Sequence, residues 1–152
     1  MTDVVLGIDS STQSTKVEAR LLGTGAVVAS ASASHPPTTP PVSEQDPTAW
    51  WAAAAAACAQ IPPQVRNGVV AVSVAGQQHG LVLLDEDGLA VRPAKLWNDT
   101  TSATEATALV NATNPDAWAA AIGSLPVAAF TISKLAWVAH HEPANLARVA
   151  RV

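Results

Sequence analysis

The segment Val4-Val5-Leu6-Gly7-Ile8-Asp9-Ser10-Ser11-Thr12-Gln13-Ser14-Thr15-Lys16-Val17-Glu18-Ala19-Arg20-Leu21 carries the first structural decision of the chain. Val4 to Ile8 is a short apolar run that ends in a carboxylate at Asp9, the pattern of a buried strand. Ser10 to Ser14 are small and polar, which predicts a tight turn. Val17, Ala19 and Leu21 then alternate with Lys16, Glu18 and Arg20, so a second strand follows with one polar face. Gly23 to Gly25 is a further turn signal, and Ala26 to Ala33 reads as a third strand. Strands joined by connections this short pair antiparallel, as a meander.

Beyond the meander the pattern changes period. His35 to Pro41 is proline-rich and predicts an exposed loop. Asp46 is a candidate N-cap, Pro47 suits the first helical position, and Trp50, Ala54, Ala57 and Ile61 recur at helical spacing until Pro62-Pro63 stops the helix. Val69 to Val74 is nearly continuously apolar, which predicts a strand covered on both faces. A strand that follows a crossover helix is most simply parallel to an earlier one. Leu81 to Leu84 reads as another strand, turned by Asp85 to Gly88, and Ala94 to Trp97 as a short extended piece. Ser102 and Glu105 are spaced as a capping box for a helix whose apolar face is Ala106, Leu109 and Val110. Further helices are predicted from Asn114-Pro115 to about Ala121, from Thr131 to His141, and briefly from Pro143. The sum is an α/β fold with a mixed sheet, three initial antiparallel strands and flanking helices. A doubly wound dinucleotide fold would alternate strand and helix from the start and feed a helix from a Gly-rich turn, and neither feature occurs.

Composition bounds the function. The chain has 152 residues, a size that suits one domain and buries roughly 68 to 70% of its unfolded surface. Its 49% hydrophobic content is largely alanine, which fills little volume, so five Trp, one Phe and the aliphatic residues must supply most of the packing. The net charge of -4 and the scatter of eight Lys and Arg argue against nucleic acid as a partner. The single cysteine, Cys58, allows no internal disulfide and reads as a small buried side chain. The Met1-Thr2-Asp3-Val4 start lacks the basic lead-in of a signal peptide, and no apolar stretch reaches about 18 residues. A cytoplasmic protein without a membrane partner is the expectation.

Chemistry could sit at several places. In Asp9 to Lys16 a carboxylate at a strand end meets a turn of hydroxyls. Such a turn can form an anion-binding nest, and the carboxylate can hold Mg²⁺; the alternative is an ordinary polar turn. Gly76-Gln77-Gln78-His79-Gly80 clusters two amides and an imidazole between glycines, donors and acceptors that suit a polyol, although a lone His is often structural. In Leu96-Trp97-Asn98-Asp99 an aromatic face could stack on a sugar while Asn and Asp bond its hydroxyls; alternatively Trp97 is core and Asp99 caps the next helix. His140 and His141, being adjacent on a helix, are expected to point apart and to be surface residues rather than metal ligands. Asp85 to Asp87 reads as a solvated turn.

Taken in order, Gly7-Ile8-Asp9, Ser11 to Lys16, Ser43-Glu44-Gln45-Asp46-Pro47 with Trp50-Trp51, Gly76 to Gly80, Leu96 to Asp99, and Phe130-Thr131 with Lys134-Leu135 and Trp137 resemble the start of a carbohydrate kinase of the FGGY family. Within it, Gln78-His79-Gly80 followed by Trp97-Asn98-Asp99 is most similar to the xylulokinases. The resemblance implies the N-terminal lobe of a ribonuclease-H-like, actin-like ATPase fold. Residues 1–152 would then form part of the kinase N-terminal domain. It implies transfer of the γ-phosphate of ATP to a pentulose such as D-xylulose, with ATP and Mg²⁺ as cofactors, and it leaves a homodimer open. Carried over by residue, Asp9 would position metal and phosphate, while Ser11, Thr12, Gln13, Ser14, Thr15 and Lys16 would line the phosphate side. Gln78, His79, Trp97, Asn98 and Asp99 would contact the sugar. Thr101 stands where family members often have Arg. No Gly-Gly-x-Asp segment occurs, so the catalytic base is not expected among these residues, and the chain alone is expected to be inactive. The competing readings are a kinase for ribulose, glycerol or another polyol, and a non-catalytic sugar-binding module.

Overall fold

The computed structural model describes residues 3–152; Met1 and Thr2, at the head of the start read above, lie outside the described residues. The chain divides into two compact units, one formed by residues up to Pro37 together with Thr48–Gln77, the other by Thr38–Pro47 together with Gln78–Val152.

In the first unit β1 (Val4–Ser10), β2 (Ser14–Leu21) and β3 (Val27–Ser34) form the expected meander. Helix α1 (Pro47–Gln60) and the short α2 (Pro63–Arg66) lead to β5 (Val69–Gly76), which pairs parallel with β1. The sheet order is β3-β2-β1-β5. Alternation decides which face is dry: Val4, Leu6, Val17 and Ala19 are buried with Ala57 and Ile61 of the helical segment, and Cys58 is half-buried beside them. Gln60 ties the end of α1 to the sheet by donating to the Ser32 carbonyl at 3.2 Å.

Two expectations change here. The strand Val69–Gly76 is not covered on both faces: Val70, Val72 and Val74 are 57%, 56% and 68% exposed. Continuous apolarity fixed the strand but not its cover, because β5 is the last strand of the sheet and the buried cluster centres on β1 and β2. His35, assigned to an exposed loop, is buried, and its Nε2 lies 2.8 Å from the Thr15 hydroxyl.

In the second unit the two-residue strands β4 (Glu44–Gln45) and β6 (Ala94–Lys95) pair antiparallel. Helices α3 (Ala103–Ala112), α4 (Pro115–Ile122), α5 (Thr131–His141) and α6 (Pro143–Leu146) follow. Asn114 caps α4 by accepting from the Ala117 amide at 2.7 Å, and Gly123 ends it in the left-handed conformation. Leu81, Leu83, Val91 and Val138 form this unit's core.

Leu81 to Leu84 is not a continuous strand. Isolated bridges join Leu81 to Lys95 and Leu84 to Ala90 and Arg151. Leu81 and Leu83 are buried, but no ladder forms. The turn at Asp85 forms as expected, with Asp85 Oδ1 accepting from the amides of Asp87 and Leu89 and Gly88 at φ 79°. The capping box at α3 does not form. Ser102 donates its hydroxyl to the Ala128 carbonyl instead, and Glu105 is buried with Oε1 3.7 Å from Nδ1 of both His140 and His141. The histidine pair therefore converges on one carboxylate rather than pointing apart; both rings stay exposed, and His141 stacks on Trp137.

Candidate functional site

The first unit presents the Asp9 turn. β1 ends at Ser10 and β2 begins at Ser14, so the reversal is short, and Ser14 O accepts from both the amide and the hydroxyl of Ser11. Asp9 is exposed and opposite Lys16 in the ladder. Both open onto a concavity of about 380 Å³ shared with Gly7, Glu18, Arg20 and Ser73. Thr12 donates to Gln77 Oε1 at 3.4 Å, and the Gln77 amide donates to the Ser10 carbonyl at 3.1 Å. The parallel β1–β5 pairing thus brings the head of the Gly76 segment against the Asp9 turn.

Side-chain alternation splits the residues expected to line phosphate. Gln13 and Lys16 are exposed, and Ser11, Thr12 and Ser14 are half-buried. Thr15 lies on the opposite face of β2, fully buried, its hydroxyl engaged with Ser10 Oγ and His35 Nε2. The donor set at the turn suits Mg²⁺, a hard cation that takes oxygen ligands and needs only one or two carboxylates beside waters and phosphates. Asp9 supplies one such carboxylate; among the described residues no larger His, Cys, Asp and Glu cluster could hold a metal.

The second unit carries the remaining expected residues. Gln78 and His79 are exposed, and His79 adopts φ 58°, a left-handed conformation uncommon for a residue with a side chain. Its ring stacks on Phe130 at 4.6 Å between centroids. Trp97 is 49% exposed, and Asn98 Oδ1 is a buried acceptor without a hydrogen-bond partner.

Asp99 is fully enclosed, and its carboxylate is used inside the protein. Oδ2 accepts from the Ser43 amide at 2.8 Å; Oδ1 accepts from the Thr101 amide at 3.0 Å and the Thr101 hydroxyl at 2.5 Å, with Lys95 Nζ at 3.3 Å. Burial by itself would raise its pKa. The Thr101 hydroxyl, the amides of Ser43 and Thr101 and the Lys95 charge outweigh burial and hold it below the ordinary value.

Several residues of this unit escaped sequence reasoning. Lys95, also fully buried, donates to Glu44 Oε1 at 2.9 Å and to Thr101 Oγ1 at 2.8 Å, and lies 3.9 Å from the Trp137 ring centre. Arg92 bridges Glu44 and Glu142 at 2.7 Å each. Glu142 is burdened by partial burial but held below its ordinary pKa by Asn145, Arg92 and Lys95. Lys134 is fully buried and donates to the carbonyls of His79, at 2.9 Å, and Ala129. Burial lowers its pKa to about 8, Lys95 adding to the effect and Asp99 opposing it. The available signal was the placement of Glu44 and Lys134 inside the Ser43 to Pro47 and Phe130 to Trp137 segments. Arg92 and Lys95 had none.

A parallel strand added beside an antiparallel meander, with a crossover helix, defines the N-terminal lobe of an actin-like ATPase fold. Residues 4–152 match the FGGY family of carbohydrate kinases, N-terminal domain, and the chain belongs to that family. It is 48% identical over 141 residues to a xylulose kinase of Streptomyces coelicolor and 46% identical over 141 residues to one of Streptomyces rubiginosus, covering 92% of this chain in each case. The chain spans 29% of the length of each of these relatives. Among solved structures, the xylulose kinase of Bifidobacterium adolescentis superposes with a TM-score of 0.88 at 38% identity, over 98% of this chain and 31% of that one. A glycerol kinase of Plasmodium falciparum shares the fold, with a TM-score of 0.83 at 21% identity over 96% of this chain and 30% of that one.

Proposed function

We propose that this chain is part of the N-terminal domain of an ATP-dependent pentulose kinase that converts D-xylulose to D-xylulose 5-phosphate. The observation that carries the reading is the exposed Asp9 carboxylate at the end of β1, beside Lys16 and a turn lined with hydroxyls. Phosphoryl transfer asks a protein chiefly for positioning and charge neutralisation, and this turn offers both. Asp9 would hold Mg²⁺, directly or through water. Ser11, Thr12, Gln13, Ser14 and Lys16 would face phosphate oxygens, with Thr15 fixing the turn from the buried side. Gln78, His79, Trp97 and Asn98 would meet the sugar, and Asp99 would hold their support. Similarity to xylulose kinases over most of the chain favours xylulose over glycerol.

The catalytic base is assigned to no residue of this chain, since Asp99 has both oxygens engaged and no Gly-Gly-x-Asp segment occurs. A positioned base contributes about 10²- to 10⁴-fold in rate. The 152-residue polypeptide by itself is therefore expected to be inert. A cytoplasmic location suits ATP and a sugar as substrates; among the described residues no helix is long and apolar enough to cross a membrane.

The test is an ADP-release assay on the complete protein with xylulose, ribulose and glycerol. The highest kcat/KM is expected for xylulose. Preference for glycerol overturns the substrate assignment, and ATP-dependent turnover of xylulose by the isolated chain overturns the assignment of the base.

A further inference from the structure

We infer that the first turn of α5 is a clamp on the sugar-contacting loop, with Lys134 and Phe130 as its positioning residues. The inference rests on the kinase reading above and adds the device that shapes its sugar side.

Two contacts on one residue define the clamp. Phe130 directly precedes α5, and its ring stacks on His79 with 4.6 Å between centroids and 22° between planes. One turn later, Lys134 Nζ donates to the His79 carbonyl at 2.9 Å. His79 is thus held by both ring and backbone while it occupies φ 58°. A residue with a Cβ pays conformational energy in that region and persists there only when its surroundings over-determine it. Gly76 and Gly80 supply no side chains, and the anchored Gln77 is two residues before His79, so the contacts that restrain His79 itself are those of Phe130 and Lys134. Lys134 reaches both the His79 and the Ala129 carbonyls, and so ties the loop to the chain entering α5.

The chemistry of Lys134 supports positioning over direct contact with substrate. Its ammonium is fully buried and donates to backbone carbonyls, so its charge is spent inside the protein. Burying an ammonium is unfavourable unless it is hydrogen-bonded, and here the return is a fixed direction for the neighbouring Gln78 and His79 side chains. The effect should fall on sugar binding and alignment, and leave nucleotide binding alone.

The test uses the complete protein carrying Lys134→Met, Phe130→Leu or Phe130→Tyr. Lys134→Met and Phe130→Leu are expected to raise KM for xylulose, or lower kcat/KM for it, by roughly 10- to 100-fold, with KM for ATP unchanged. Phe130→Tyr keeps the stacked ring and should stay close to the parent. Should Lys134→Met fail to fold, the Phe130 pair decides. A second readout is independent of activity: the His79 ring protons should shift upfield in NMR spectra of the parent, and lose that shift in Phe130→Leu. Equal changes in both KM values, no change in either, or an unshifted His79 ring overturns the clamp. If the parent phosphorylates no polyol, the kinase reading fails on its own, and the His79 shift alone then judges whether the clamp exists.

Discussion

Asp9 and Asp99 are both carboxylates beside a lysine, with very different fates. Asp9 stands exposed across a ladder from exposed Lys16, with its surroundings open to a concavity. Asp99 is wholly enclosed beside enclosed Lys95, and each of its oxygens is committed to Ser43 or Thr101. The first unit is held by paired strands and a small aliphatic core, and its polar turn is closed by hydrogen bonds of Ser11 to the Ser14 carbonyl. The second has short strands of two residues, and an ionic network of Glu44, Arg92, Lys95, Asp99 and Glu142 joins its segments instead. Asp9 and Lys16 keep their charges exposed, whereas Asp99 and Lys95 use theirs inside the protein.

The sharpest way to break this contrast is Asp99→Ala. It strands the Ser43 and Thr101 amides and removes a counter-charge of Lys95, so a loss of about 3 to 5 kcal/mol is expected in urea denaturation. Ile61→Ala in the first unit opens a cavity in a well-packed site and should cost about 2 to 5 kcal/mol by the same measurement. Acid should act on the second unit. Asp99 and Glu142 have lowered pKa values, so the folded state binds their protons less readily than the unfolded chain. Their stabilisation is complete above the unfolded values of about 4 and is lost as pH falls through the lower folded ones. Far-UV circular dichroism against pH should therefore hold steady to about pH 4 and change below it; unfolding centred near neutrality would contradict the network. The smallest stability effect is expected for Lys16→Met, within about 0.5 kcal/mol, because its side chain is exposed. In the complete protein the same variant should lower kcat/KM for ATP, and stability loss without that change would make Lys16 structural.

The difference between the units also explains what the sequence disclosed. The meander, α1 and α4 were readable because their signals are local: alternation at Val17 to Leu21, Trp50 to Ile61 at helical spacing, an Asn-Pro cap at residues 114 and 115. Helix α5 lies where it was expected, but it buries Ser133, Lys134 and Val138 while Ile132 is exposed. The Asp9 turn was readable for the same reason. Asp99 was expected to meet a sugar, and its burial was hidden, since its partner Ser43 lies 56 residues away. Lys134 and His79 are 55 residues apart, and Arg92 and Glu44 are 48. A charge that is buried because of distant partners looks, in sequence, like any surface charge. The exposed valines of β5 failed in the opposite direction: apolarity states what a residue prefers, while its position at the sheet edge decides what covers it. Ser102 and Glu105 had the right spacing for a cap, but tertiary partners at Ala128 and the histidine pair took both side chains.

The parallel register of β1 and β5 works as a ruler. Ser10 pairs with Gly76, and the next amide, that of Gln77, reaches back to Ser10. The register shifts once, at Val70, which has no partner in β1; from Ala71 to Gly76 a deleted residue would either invert the faces of Val72 and Val74 or drag Gln77 away from Thr12. The turn at Glu86 and Asp87 carries no such measure, being exposed and bounded by isolated bridges. Chain length is thus fixed where it sets an address and negotiable where it only reverses direction. An insertion library across the protein should accept additions at Glu86–Asp87 and reject them from Ala71 to Gly76.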